Sequence, residues 1–173
     1  MVCPSSRKKR AYLTSKQVEL LASQAGKNGT LVYTLAYTGL RWGEATGIRI
    51  GALDTLRRRI HVQENAVKVG LVVIVGSPKT HEARSVPYPK FMSEMLARAC
   101  EGKDRDGLVF GDGLAHLKTP DSNTGWFQAA VERAQSIDPT FPRVTPHDLR
   151  AWPSAPARTR RRYSGCSDMR LRP

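Results

Sequence analysis

Apolar residues recur at helical spacing soon after the start of the chain. Val18, Leu21, Ala22 and Ala25 follow the i, i+3, i+4, i+7 pattern of one helix face, and Thr14 just ahead of them carries a side chain suited to capping the first turn. Gly26 and Gly29 are expected to end this helix. The stretch from Leu31 to Leu40 is apolar on nearly every side, as a central buried helix would be. Gly39 then turns the chain into Leu40-Arg41-Trp42-Gly43-Glu44, and an Arg emerging from so apolar a segment needs a partner.

From Arg58 the period changes. Ile60 and Val62 alternate with polar residues, Leu71 to Val75 is rich in β-branched residues, and Arg84 to Tyr88 is a third short extended piece. Together they predict a three-stranded antiparallel meander. Gly76-Ser77-Pro78-Lys79-Thr80 supplies turn chemistry between the second and third strands and puts Lys79 on an exposed tip. Helical spacing returns with Met92, Met95, Leu96 and Ala99, and again with Phe127, Ala130, Val131 and Ala134. The expected fold is α+β and mainly helical, a helical bundle with a small three-stranded antiparallel sheet on one side.

At 173 residues and 40% hydrophobic content the chain suffices for one domain with a real core. Residues 1–12 form a basic N-terminal segment carrying Arg7, Lys8, Lys9 and Arg10, residues 13–150 the domain, and residues 151–173 a tail without apolar period that holds six Arg against one Asp. That composition predicts disorder, with a basic tail that folds on nucleic acid as the alternative. The 28 Lys and Arg against 15 Asp and Glu give a formal charge of +13, which favours a polyanion over an acidic protein partner. A merely solvated basic surface is the competing explanation.

Cys3, Cys100 and Cys166 are odd in number and far apart, so no disulfide framework or paired metal motif is expected. His61, His81 and His116 lack ligand spacing, and neither a Gly-rich phosphate loop nor a nucleophile elbow occurs, so we expect no metal and no cofactor. No apolar run reaches membrane-spanning length and the first residues lack the apolar stretch of a secretion signal, which predicts a cytoplasmic protein with no membrane partner.

Three separated basic features then call for one explanation: Arg41, Lys79, and the pair His147 and Arg150. In Thr145-Pro146-His147-Asp148-Leu149-Arg150 the Pro can start a helix, and His and Arg three apart share a face. Two Arg forks, a His and a Lys suit a phosphoryl group whose non-bridging oxygens gain charge during an in-line displacement. The ordinary alternatives are a half-buried Arg41–Glu44 ion pair, a helix-start His147 and a Lys79 typical of hairpin tips.

The segments Tyr37-Thr38-Gly39-Leu40-Arg41-Trp42-Gly43-Glu44, Pro78-Lys79-Thr80 followed by Arg84-Ser85-Val86-Pro87, and His147-Asp148-Leu149-Arg150 come in the order found in the catalytic domain of the tyrosine recombinases, the phage integrase family. The chain resembles that domain over roughly residues 10 to 150. The resemblance implies that Arg41 and Arg150 hold the scissile phosphate and that His147 assists proton transfer. It makes Lys79 the general acid for the leaving 5′ oxygen and Glu44 a support for the active-site geometry. Double-stranded DNA is the implied partner, met by Arg84 and the Arg7, Lys8, Lys9 and Arg10 run. The implied chemistry is metal-free and passes through a covalent phosphotyrosyl link.

One family element is not found. After the His-x-x-Arg motif the family places a further His or Trp and then the nucleophilic Tyr on later helices, whereas here only Tyr163 follows Arg150, among Arg160-Arg161-Arg162 and Ser164-Gly165. We do not assign the nucleophile to Tyr163. The N-terminal domain that clamps the other side of the DNA in the family is also not expected ahead of the first helix. The chain is therefore expected to be inactive by itself, a DNA-binding remnant or degenerate prophage gene product, with a Tyr lent by an intact recombinase protomer as a possible rescue.

The genetic code offers a reason. Joining the last base of each codon to the first two of the next, Gly165-Cys166-Ser167-Asp168-Met169-Arg170 permits Met-Leu-Gly-His-Ala, and the family's His commonly sits in a Leu-Gly-His sequence. A small deletion near the codon for Ala151, not a multiple of three, would make residues 151–173 an out-of-frame, truncated product. Sequencing the coding DNA should reveal a shifted frame encoding Leu-Gly-His and then a Tyr-bearing helix; if no frame after the His147 codon does so, the explanation is wrong.

Overall fold

The computed structural model describes residues 12–62, 65–69, 72–76, 84–121 and 124–150. The first helix, α1 (Ser15–Gln24), begins as its sequence requires: the Thr14 hydroxyl accepts from the Gln17 amide, and the Gln17 side chain accepts from the Thr14 amide at 2.8 Å. Val18, Leu21 and Ala22 are buried along its inner face. After a short 3-10 turn (Gly26–Asn28) comes α2 (Gly29–Thr38). Gly29, expected to end the first helix along with Gly26, instead opens the second in ordinary right-handed helical geometry. What calls for glycine there is proximity, since a Cβ would lie 2.7 Å from the Ala22 carbonyl oxygen of α1.

Helix α2 is the centre of the domain. Leu31, Val32, Leu35 and Ala36 are almost fully buried, and the helix packs against α1, α3 (Trp42–Thr46), α4 (Met92–Cys100) and α6 (Pro146–Leu149). The Thr34 hydroxyl, buried among them, is satisfied by donating to the Thr30 carbonyl at 2.8 Å. Helix α5 (Trp126–Ile137) covers the outer side of α1 with Phe127, Ala130, Val131 and Ala134, the four positions its period predicts.

The sheet has three antiparallel strands with membership different from that expected. It consists of β1 (Leu53–Asp54), β2 (Arg59–Val62) and β5 (Arg84–Pro87), with Leu53 and Val86 both opposite Ile60 and with Arg84 opposite Val62. The apolar run expected as its middle strand forms β4 (Val72–Gly76) and pairs with β3 (Asn65–Val69) in a separate two-stranded ribbon. Alternation identifies a strand but not its partner. With only Gly70 and Leu71 between them, β3 and β4 close a hairpin at little loop entropy, and β5 then returns to pair with β2. Ile60 and Val62 face the core while Arg59 and His61 are exposed, as the alternation requires.

The segment between α4 and α5 is tied down by backbone bonds to the connection after α3. Val109 donates to Ile48, Ile50 to Gly107 and Gly51 to Arg105, which holds Leu108, Val109 and Phe110 in the core. Among the described residues no helix is long and apolar enough to cross a membrane.

Gly29→Ala tests the close approach of α1 and α2. Intrinsic helix propensity alone would make this change stabilising, whereas the contact with the Ala22 carbonyl predicts a loss of about 2 kcal/mol in urea unfolding.

Candidate active site

Two chain reversals build the site. Gly39 ends α2 in the left-handed conformation, φ 66°, so that Leu40 plugs the core while the next residue leaves it. That residue is Arg41, which caps α3 in extended geometry. The Arg41 amide donates to Glu44 Oε2 at 2.8 Å and its guanidinium NH1 donates to Glu44 Oε1 at 3.0 Å. A third donor arrives from the sheet: Arg84 NH2 reaches Glu44 Oε2 at 2.7 Å. Glu44 is 1% exposed, whereas the side chains of Arg41 and Arg84 are 53% and 43% exposed. The carboxylate thus lies inside with two cations half out above it.

The second reversal is α6. Thr145 donates from its amide and its hydroxyl to Asp148 Oδ2 at 2.8 and 2.7 Å, and Pro146 occupies the first turn, so this short helix is fixed at its start. Arg150 caps its end and sends Nε to the Gly39 carbonyl at 2.9 Å, across 111 residues of sequence. One donor of the guanidinium fork is used there, and the fork carries four more on its terminal nitrogens. Arg41, His147 and Arg150 consequently line one cleft of about 270 Å³, together with Trp42, Thr119 and Thr145. Such a cleft, with two Arg forks and an exposed imidazole, has the donors to hold the oxygens of a phosphodiester.

Of the residues singled out in the sequence, Arg41, Glu44, Arg84, His147 and Arg150 are brought to this region. Arg84, expected against DNA, is found paired with the carboxylate beneath Arg41. Lys79, the run Arg7, Lys8, Lys9 and Arg10, and Tyr163 lie outside the described residues. Trp42 and Thr119 had not been singled out. The Trp42 indole donates to the Leu117 carbonyl at 3.2 Å and its ring lies 6.3 Å from that of Trp126, which fastens the loop carrying Thr119 beside the cleft. Its position between Arg41 and Glu44 was the available signal; Thr119 had none. Tyr12, Tyr33, Tyr37 and Tyr88, the described tyrosines, do not line the cleft. Burial, then the Glu19 carboxylate, raises the Tyr33 hydroxyl above its ordinary pKa, which disfavours a phenolate there.

The sequence profile of the phage integrase family matches residues 11–155. The chain belongs to the phage integrase family. It is 27% identical to the integrase of Mycobacterium phage L5 over 80% of its own length and 38% of that protein's. Among solved structures, the Tn1549 transposon integrase, determined in complex with a circular intermediate DNA, superposes with a TM-score of 0.65 at 22% identity, covering 86% of this chain and 53% of that one. The XerA recombinase superposes with a TM-score of 0.56 at 22% identity, covering 81% and 47%. The fold is that of a tyrosine-recombinase catalytic domain, and the chain spans about half or less of the length of these relatives.

Within this phage integrase domain, Glu44 and Asp148 hold the two motif turns by different means. Glu44→Ala leaves two cations around an emptied carboxylate site and should cost about 2 kcal/mol, against about 1 kcal/mol for the capping loss in Asp148→Ala. Urea unfolding of the two variants should give that order.

Proposed function

We propose that residues 13–150 are the phosphate-holding part of a DNA integration and site-specific recombination domain, flanked by a basic segment over residues 1–12 and an out-of-frame tail over residues 151–173. The substrate is double-stranded DNA, met in the cytoplasm. The observation that carries the reading is the convergence of Arg41, His147 and Arg150 on one cleft from opposite ends of the domain. In an in-line displacement at phosphorus the non-bridging oxygens gain charge, and two guanidinium forks stabilise that change more than they stabilise the ground state. His147 is exposed at the cleft, where an imidazole can pass a proton, and Glu44 fixes Arg41 from below. Lys79 is the proton donor to the 5′ oxygen in this scheme.

Strand cleavage also needs a nucleophile. With Tyr12, Tyr33, Tyr37 and Tyr88 away from the cleft and no coherent helix pattern around Tyr163, the chain by itself is read as non-cleaving. It binds DNA through phosphates, and an intact recombinase protomer could lend the missing Tyr.

A nicked suicide duplex tests both parts. The chain should bind the duplex with steep salt dependence, and Arg41→Ala and Arg150→Ala should each reduce the salt slope by about one contact. No covalent protein–DNA adduct should survive a denaturing gel. An adduct formed by the chain alone would overturn the non-cleaving part; unchanged binding in both Arg variants would overturn the phosphate site.

A further inference from the structure

Glu44 accepts from two directions, and how its oxygens are shared decides what Arg41 can do. Oε1 accepts from Arg41 NH1, while Oε2 is filled twice, by the Arg41 amide and by Arg84 NH2. With Oε2 occupied, the Arg41 guanidinium can meet the carboxylate only through one nitrogen. Without Arg84, Oε2 would keep only the Arg41 amide, and the freed acceptor position would invite the two-pronged Arg–carboxylate geometry, which is the stronger one and would draw the guanidinium down onto Glu44.

We infer that Arg84 is a positioning residue for the phosphate cleft: by occupying Glu44 from the sheet, it holds the Arg41 guanidinium outward and available to a phosphodiester oxygen. The inference rests on the reading of the cleft as a phosphodiester site. It differs from a direct DNA contact by Arg84, because its effect must pass through Glu44. The placement is built into the fold. Arg84 is the first residue of β5, set opposite Val62 of β2, and Val62 is buried in the core, so the strand cannot slide without unseating it.

A double-substitution cycle on the full chain, read by binding to a short mixed-sequence DNA duplex, tests this. Arg84→Gln should weaken binding about tenfold with Glu44 present, and Arg84→Lys, which keeps the charge and one donor, should recover most of the loss. In a Glu44→Gln background the same Arg84→Gln change should matter by less than about twofold. An equal effect in both backgrounds means that Arg84 touches DNA directly, and no effect in either means that it does nothing for the cleft; both results overturn the inference. Should Glu44→Gln fail to fold, the Arg41 Nε–Hε resonance reports directly: it should shift in Arg84→Gln but stay close to its original position in Arg84→Lys. An unmoved resonance in Arg84→Gln overturns the inference. The underlying reading is judged separately by Arg41→Ala. If that variant binds DNA normally, the phosphate site itself is wrong; if it binds weakly while the cycle is additive, only the role of Arg84 fails.

Discussion

A carboxylate as buried as Glu44 survives in a protein only if its charge is met by donors that cannot drift away. Here the donors come from three places: the amide of Arg41 at the start of α3, the guanidinium of the same residue, and Arg84 at the start of β5. Losing water around the carboxylate is costly, and these bonds offset that cost only in one arrangement of helix turn and strand. The sheet is thereby joined to the helical bundle at the point where Arg41 leaves the core. Because both cations stay half exposed, the arrangement keeps its excess positive charge at the surface.

A second constraint comes from the end of α2. Helix termini leave carbonyl groups without partners and carry partial negative charge, so the Gly39 carbonyl is a natural acceptor for a cation. Arg150 takes that role from the other end of the domain. The left-handed turn at Gly39 therefore has two consequences. It sends Arg41 out of the core, and it presents the carbonyl on which α6 docks. Two short motifs far apart in the chain come to share one cleft through a single residue, and Trp42 closes a further side by holding the loop at Leu117.

The surroundings match what a polyanion needs. On the proposed reading, a chain of net charge +13 with guanidinium groups lining the cleft would attract phosphates at a distance and grip them locally. Long-range attraction depends on the whole charge distribution and falls with salt. On that reading the local grip would depend on the donors held by Glu44 and Gly39.

The sequence alone determined most of the helices, because their periods and caps are local, while the short α3 had no period to announce it. Thr14 with Gln17, the apolar face of α5 and the Pro146 start of α6 all follow from interactions within a turn or two. It also named Arg41, His147 and Arg150 as side chains whose donors suit a phosphate and Glu44 as a partner for Arg41, while only the fold brought the three to one cleft. Pairing was decided only in three dimensions. Alternating residues marked β2 and a short extended piece marked β5, but the local closure of β3 with β4 chose their partners. Likewise Arg84 could be read as a surface cation, and Gly29 as a helix stop, until the fold brought Glu44 to one and the Ala22 carbonyl to the other. Contacts between residues distant in sequence depend on packing, and no local pattern records them.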